Sequence, residues 1–321
     1  MRFSIIIPVY NAALTLEKCL ASIRSQNFQG YQVIISDDGS SDESVKIAGE
    51  FASCDPRFIV ITGSHAGTGA ARNRGLERAE GEYILYMDAD DYWLRDDLLQ
   101  TLEHLTAEQP ADVYMYQMLK VTEEGEVLSR YTKPPFSNEN KAMPLAEVYS
   151  DLVKDGHTLA AAWNKCVRKG LLADNRIRFR EDISGEDIDW VLQVFSVTDT
   201  ICLLNIRAYA YVQHKTPSRS TAKDVQNDLV DIISAWNRRL TEKDPVCSEA
   251  ACGIVAFEYA ICMGNYHLLS AINRRFLREN VHLLTYGLDR KTILIRRFYR
   301  VFGYRLTCLA IRLYLLFRRI W

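Results

Sequence analysis

The feature that most constrains this chain is an alternation, through its first hundred residues, of short apolar runs with amphipathic stretches joined by brief polar links. Residues 3–9 (FSIIIPV) form a nearly continuous apolar run, which suits a strand covered on both faces. Residues 12–25 then place Leu14, Leu16, Cys19, Leu20 and Ile23 at mostly helical spacing. The same alternation predicts strands at 32–36, 58–62 and 83–87 and helices at 42–51, 70–79 and 96–106. It implies an α/β fold with a doubly wound sheet flanked by helices. Ligands of such sheets bind beyond the C-terminal ends of the strands, and three of those ends carry DDGS (37–40), the glycine-containing loop 63–69 and DADD (88–91).

Further along, 112–118 reads as another strand, 119–131 as a hairpin arm around EEGE, and 133–143 as an exposed loop rich in Pro, Asn and Lys. Residues 144–153 and 158–172 read as helical and 201–213 as one or two late strands; from Lys223 onward the pattern is helical almost to the end. The expected division is therefore a ligand-binding and catalytic domain over residues 1–220 and a helical region over 221–321.

A content of 48% hydrophobic and 25% charged residues excludes disorder as the default. The eight cysteines are scattered without zinc-site spacing, which fits a reduced, cytoplasmic setting. In MRFSIIIPVY, Pro8 and then Asn11 follow the apolar run at once, so it reads as a first strand and not as a signal peptide.

Within residues 83–93 (YILYMDADDYW), an apolar run ends in Asp88, Asp90 and Asp91. If strand geometry persists, Asp88 and Asp90 point the same way, and a shared hard cation, Mg²⁺ or Mn²⁺, would hold them while bridging to substrate phosphates. The alternative is a solvated acidic turn with Asp91 capping a helix that begins near Arg95.

Four further clusters accompany it. Pro8, Tyr10 and Asn11 with Asp37 and Asp38 put polar groups at two strand ends, suited to a nucleobase edge and a ribose hydroxyl; helix caps at Asn11 and Asp42 are the plainer reading. GTGAARNRG (67–75) opens a helix with glycines beside Arg72 and Arg74, which favours an anion such as a diphosphate, although Arg72 could equally pair with Asp88 or Asp90. In GEDIDW (185–190) an acid stands beside Trp190; burial can tune such a carboxylate as a general base, or the acids simply face a helix N-terminus. YAYVQHKTPSRS (209–220) offers His214, Lys215, Ser218, Arg219 and Ser220 after a strand.

Taken in order, PVYN, DDGS, AARNRG, DADD, AWNK, GED and a late QH with serines closely resemble family 2 glycosyltransferases of the GT-A fold, over roughly residues 1–220. The resemblance implies a GT-A type doubly wound mixed sheet with a helical C-terminal extension, and inverting transfer of a sugar from a nucleotide diphosphate sugar, most often a UDP-sugar, to a hydroxyl. It implies that Pro8, Tyr10, Asn11, Asp37 and Asp38 hold the nucleoside, with Arg72 by the diphosphate. The resemblance further implies that Asp88 of the DXD motif lies near the ribose or one layer behind it, that Ala89 belongs to the nucleotide-sugar site, and that Asp90 binds Mn²⁺ or Mg²⁺, with His214 completing the metal site. Asp187 is the base. Trp163, Asn164, Lys165 and Glu186 belong to the acceptor pocket, or Trp163 packs in the core. The QxxRW motif of processive members is missing after GED, which favours addition of a single sugar.

Nine of the 39 basic residues and none of the 41 acidic ones fall in 290–321, leaving about −11 on the rest of the chain. On a helical wheel of 297–321, Phe298, Tyr299, Phe302, Leu306, Leu309, Ala310, Leu313, Leu316, Phe317 and Ile320 share one face, opposite Arg297, Arg300, Arg305, Arg312, Arg318 and Arg319. That pattern describes an interfacial helix on an anionic membrane, with Gly303 as a break, or a helix packed on the protein's own body. The first option makes the protein peripheral on the cytoplasmic face and its acceptor a lipid-linked sugar for surface polysaccharide. No nucleic acid is expected as a partner, and the oligomeric state is open. The competing functions are a catalytically silent protein that kept the fold, binding nucleotide sugar or scaffolding at the membrane, and a nucleotidyltransferase, for which an N-terminal Gly-rich, Lys-bearing phosphate loop is missing.

Overall fold

The computed structural model describes residues 1–128, 136, 140–154, 159–214, 223–242 and 248–320. The chain forms two compact units: the described residues of Met1–Val148, Ala161–Asp182 and Thr198–Lys215 make the first, and those of Tyr149–Ala160, Ile183–Val197 and Thr216–Trp321 the second. The second unit thus draws in two segments, one of them carrying Glu186 and Asp187, that precede residue 220 in sequence.

The first unit is built on a mixed nine-stranded sheet. Strands β1 (Phe3–Val9), β2 (Tyr31–Asp37), β3 (Phe58–Thr62) and β4 (Tyr83–Tyr86) run parallel in the order β3-β2-β1-β4. Helices α1 (Leu16–Arg24), α2 (Ser44–Cys54), α3 (Thr68–Arg78) and α4 (Leu98–Glu108) alternate with them. The strands are buried on both faces because β-branched and aromatic side chains fill both: Phe3, Ile5, Ile6, Ile7, Tyr31, Val33, Ile34 and Ile35 are all fully buried. Helix α1 inserts Leu16, Cys19, Leu20 and Ile23, four of the five positions its spacing predicts; Leu14 precedes the helix and is exposed.

Beyond β4 the sheet turns antiparallel through β8 (Lys165–Arg168), then continues with β6 (Val113–Thr122) and the parallel β9 (Thr200–Gln213); β9 also pairs with β5 (Tyr92–Trp93) and β7 (Ala142–Pro144). Here the helix expected over 158–172 gives way to strand β8 followed by the short α6 (Lys169–Asp174). The alanines around 161 favour helix, but Cys166 and Val167 sit between the backbones of β4 and β6, and completing both ladders outweighs local propensity. Strand β6 extends past 118 to Thr122, with register irregularities at Gln117. The expected hairpin follows: the chain turns at Glu123 and Glu124, Val127 bridges antiparallel to Val121, and the Leu128 N–H donates to Lys120 O.

Register aligns the strand ends. Val9 lies beside Asp37 and Asp37 beside Thr62, while the Asp38 N–H donates to Val9 O at 2.8 Å and the Met87 N–H to Ile6 O at 3.0 Å. The polar residues that follow β1, β2, β3 and β4 therefore gather along one edge.

The second unit is helical: α7 (Glu186–Val197), α8 (Lys223–Thr241), α9 (Glu249–Gly264), α10 (Ala271–Glu279) and a long C-terminal element, α11 (Arg290–Ile320), with the end of α5 (Leu145–Lys154). Helix α9 is central and is buried almost all round, from Ala250 to Gly264. Helix α11 is broken at Gly303, whose φ of 72° and ψ of 178° are non-helical; glycine takes such a φ without strain. Among the described residues, no helix is long and apolar enough to cross a membrane.

Candidate active site

Strand geometry does not persist through DADD. The chain leaves β4 at Tyr86 and turns at Ala89 and Asp90, so the three acids converge by a turn and not by strand alternation. Carboxylate oxygens of Asp88, Asp90 and Asp91 lie within 4.8 Å of one another. Each has a different environment.

Asp91 is buried; it accepts from the Tyr209 hydroxyl at 2.6 Å and the Val212 N–H at 2.8 Å. It ties the turn to β9, and it does not cap the following helix, which starts at Leu98 after Asp97. Burial, with the Asp88 and Asp90 charges, pushes its carboxyl well above the usual range.

Asp88 receives the Arg72 guanidinium at 2.8 Å. Arg72, itself buried, comes from the first turns of α3, and its guanidinium stands 5.0 Å from the Phe179 ring centroid. Of the two sequence readings of Arg72, the ion pair is the one observed, and it leaves the arginine at the acid cluster.

Asp90 is the outward-facing member, its side chain half exposed. Burial and the Asp88 charge raise its carboxyl, while His214 works the other way. His214 Nε2 is 3.1 Å from Asp90, and its Nδ1 is 3.0 Å from Glu123 in the turn after β6. Three carboxylates crowded against their mutual repulsion are a donor set that a hard divalent cation fits; the His214 imidazole stands beside Asp90 and does not share the 4.8 Å convergence of the three acids. Lys215, Ser218, Arg219 and Ser220, singled out with His214, lie outside the described residues.

At the neighbouring strand ends, Asp37 accepts from the N–H groups of Gly39 (3.0 Å) and Ser40 (3.1 Å). Asp38 accepts from Ala66 N–H at 3.1 Å, Gly67 N–H at 2.8 Å and Arg74 at 2.8 Å. Burial works against the Asp38 charge, but the Arg74 hydrogen bond and the two N–H groups outweigh it, and its carboxyl is held below the usual range. Both acids are thus engaged in shaping the loops that follow β2 and β3. Asn11, with φ of 50°, accepts from Ser41 N–H at 2.8 Å. Tyr10 stacks on His65, with ring centroids 4.1 Å apart. Pro8 lies within β1, opposite Ser36, and Ala89 is buried.

Trp163 is buried and stacks on Tyr209 at 4.4 Å and on Tyr211 at 5.4 Å. This is the core-packing alternative for Trp163, and it supports from within the tyrosine that holds Asp91. Asn164 and Lys165 are buried as well, Lys165 Nζ donating to Ala161 O at 2.5 Å and to Asn164 Oδ1 at 2.9 Å. In the second unit, Glu186 and Asp187 are half-buried in the first turn of α7, after Gly185. Asp189 of the same segment is structural, accepting from Trp236 Nε1 at 2.9 Å and Gln193 at 2.8 Å.

Sequence reasoning missed Glu123, His65, Tyr209 and Phe179. Arg74 was in view beside Arg72, but nothing in the sequence distinguished the partner of Asp38 from that of Asp88. Glu123 and Tyr209 reach the cluster only through the β6–β9 pairing.

Residues 4–169, just over half of the chain, match the family described as Glycosyl transferase family 2. The chain belongs to this family. Among its relatives, the glycosyltransferase GlyA of Streptococcus pneumoniae serotype 4 is 29% identical over 238 residues, 73% of this chain and 34% of GlyA. The chain thus spans about a third of that protein's length. EpsH of Bacillus subtilis strain 168, named as a glycosyltransferase, is 30% identical over 292 residues, covering 91% of this chain and 74% of EpsH. Among solved structures, S. aureus TarS 1–349 in complex with UDP-GlcNAc is similar with a TM-score of 0.67 at 20% identity, over 97% of this chain and 92% of that one. The family 2 chain therefore shares the GT-A fold of that protein.

Proposed function

We propose that this family 2 chain transfers one sugar from a nucleotide diphosphate sugar, a UDP-sugar, to a hydroxyl of a saccharide acceptor with inversion, residues 1–220 forming the nucleotide-sugar and catalytic domain and 221–321 a helical membrane-associating region. The observation that carries this is the convergence of Asp88, Asp90 and Asp91 beyond β4, beside the buried Arg72. The UDP-GlcNAc in the TarS structure supports a nucleotide-sugar donor.

In this reading Pro8, Tyr10, Asn11, Asp37 and Asp38 hold the nucleoside, Asp88 and Ala89 border the ribose, and Arg72 faces the diphosphate. Asp90 and His214 would hold Mn²⁺ or Mg²⁺, which supplies positive charge to the leaving diphosphate. Asp187 accepts the proton from the acceptor hydroxyl as its oxygen attacks the anomeric carbon from the face opposite the diphosphate; the carbon–diphosphate oxygen bond breaks and the nucleotide leaves with the electron pair. Trp163, Asn164, Lys165 and Glu186 are assigned to the acceptor in this reading. The basic, acid-free α11 favours a lipid-linked acceptor and a peripheral position on the cytoplasmic face.

Two variants test the roles separately. Asp90→Ala should abolish metal-dependent UDP release; normal turnover in that variant would refute the ion assignment. Asp187→Asn should still bind donor while transfer is lost. A second reading, a silent protein that binds nucleotide sugar or serves as a membrane scaffold on the same fold, gains ground if the wild-type chain with metal releases no nucleotide from any of a panel of donors.

A further inference from the structure

The second unit contains an open cavity of about 280 Å³ between α9 and the two arms of α11. Its wall is hydrocarbon, from residues such as Ile261 of α9, Phe298 before the break and Ile311 after it. The break builds it, because Gly303 lets the chain depart from a straight helix so that both arms face α9. A close approach at Gly264 holds the second arm: a Cβ there would come within 2.7 Å of Ile311 Cγ2 and Leu315 Cδ1.

The mouth differs from the interior. Leu294 and Tyr314 line the cavity and are 65% and 48% exposed, and the Lys291 ammonium, also on the lining, lies 6.0 Å from the centroid of the Tyr314 ring. Elsewhere on α11, Arg290, Arg297, Arg300, Arg305 and Arg312 are exposed and do not line the cavity, and 290–320 contains no acid. A second apolar surface continues outward, with Phe302, Leu306, Leu309, Leu313 and Leu316 each 45–52% exposed. An engineered apolar cavity of roughly 150 Å³ already takes benzene, so this one has room for a length of alkyl chain. An apolar interior and a cation at the mouth, on a helix that carries no acid, describe a ligand with a hydrocarbon tail and an anionic head.

We propose that this cavity takes one hydrocarbon chain of an anionic membrane lipid, with the lipid phosphate at Lys291. The inference rests on the reading that α11 meets a membrane, and it adds a defined site to that reading: the outward leucines lie in the interface while one lipid chain is withdrawn between α9 and α11.

The test uses the full chain with decyl phosphate below its micellar concentration, inorganic phosphate and decyltrimethylammonium, read by titration calorimetry, together with co-sedimentation on phosphatidylcholine vesicles with and without phosphatidylglycerol. Wild type should bind one decyl phosphate, bind the cationic detergent more weakly, ignore inorganic phosphate and sediment only with the anionic vesicles. Lys291→Gln should weaken decyl phosphate about fivefold, the worth of one lysine at an anionic surface. Ala310→Phe, which fills the cavity, should remove binding, with circular dichroism confirming its fold. The double variant Leu309→Gln/Leu313→Gln should lose vesicles yet keep decyl phosphate.

If vesicles sediment the protein but decyl phosphate does not bind, or binds Lys291→Gln unchanged, the cavity site is overturned and the membrane reading survives. If neither binds, both fall. Phosphate bound without a tail reassigns Lys291 to a free anion, and a dimer abolished by Ala310→Phe gives the cavity to a second copy; either result overturns the lipid.

Discussion

Replacing Glu258 by glutamine should change the pH dependence of the helical unit in a calculable way. Glu258 lies in α9, 6% exposed, and no cation pairs with it among the described residues. Burial raises its carboxyl from 4.5 to about 7. A folded value above the unfolded one means that the carboxyl's contribution to stability is fully present below pH 4.5 and is lost as pH rises through about 7. The full difference corresponds to about 3.4 kcal/mol, of which about 2.5 kcal/mol falls between pH 5 and pH 8. The amide side chain of the variant has the same shape and no charge, so its curve should lack this loss. We expect the advantage of Glu258→Gln over wild type to grow by that amount from pH 5 to pH 8, measured as urea stability at the α9 amides by hydrogen–deuterium exchange mass spectrometry. Parallel curves for the two proteins across that range would show the carboxylate to be solvated or paired, and the reasoning would fail.

Other outcomes follow from the same structure. Tyr209→Phe removes the hydroxyl that holds Asp91 and should cost about 1–3 kcal/mol, seen as a lower melting temperature, with Trp163 stacking retained in near-ultraviolet circular dichroism; an unchanged melting point would mean the Tyr209–Asp91 bond is worth nothing net. Mn²⁺ should raise the melting temperature of wild type by relieving repulsion among Asp88, Asp90 and Asp91, and the gain should vanish in Asp90→Asn. Because burial and Asp88 raise the Asp90 carboxyl, its contribution to metal-free stability is lost as pH rises above the unfolded value, so metal-free Asp90→Asn should be less sensitive to rising pH than metal-free wild type; steeper loss in the variant would contradict this. Gly303→Ala places a side chain at positive φ and should destabilise the helical unit by about 1–2 kcal/mol, or else straighten α11, which limited proteolysis would distinguish from wild type.

Several elements were legible because local pattern and final environment agree. In β1, β2 and α1, apolar period and burial coincide, and the strand β3 begins and ends where FIVIT does. Strand β8 was not legible, since its alanine-rich approach favours helix and only the open edges of β4 and β6 make it a strand. At the site, DADD announced itself by composition. The division of labour among its acids did not: Asp91 became an internal tie because Tyr209 and Val212, more than a hundred residues away, present donors to it. Separation in sequence likewise hides Glu123 from His214, 91 residues on, and His65 from Tyr10.

The sequence by itself determined the α/β class, the family, the clustering of polar residues at strand ends and the amphipathic, acid-free character of the C-terminal helix, because each depends on period, composition or motif order within short windows. The tertiary structure alone decided which acid faces outward, which arginine pairs with which carboxylate, that residues 183–197 join the helical unit, and that the break at Gly303 opens a cavity against α9. These depend on groups far apart in the chain meeting in space, where burial and hydrogen-bond supply, not local propensity, select the partner.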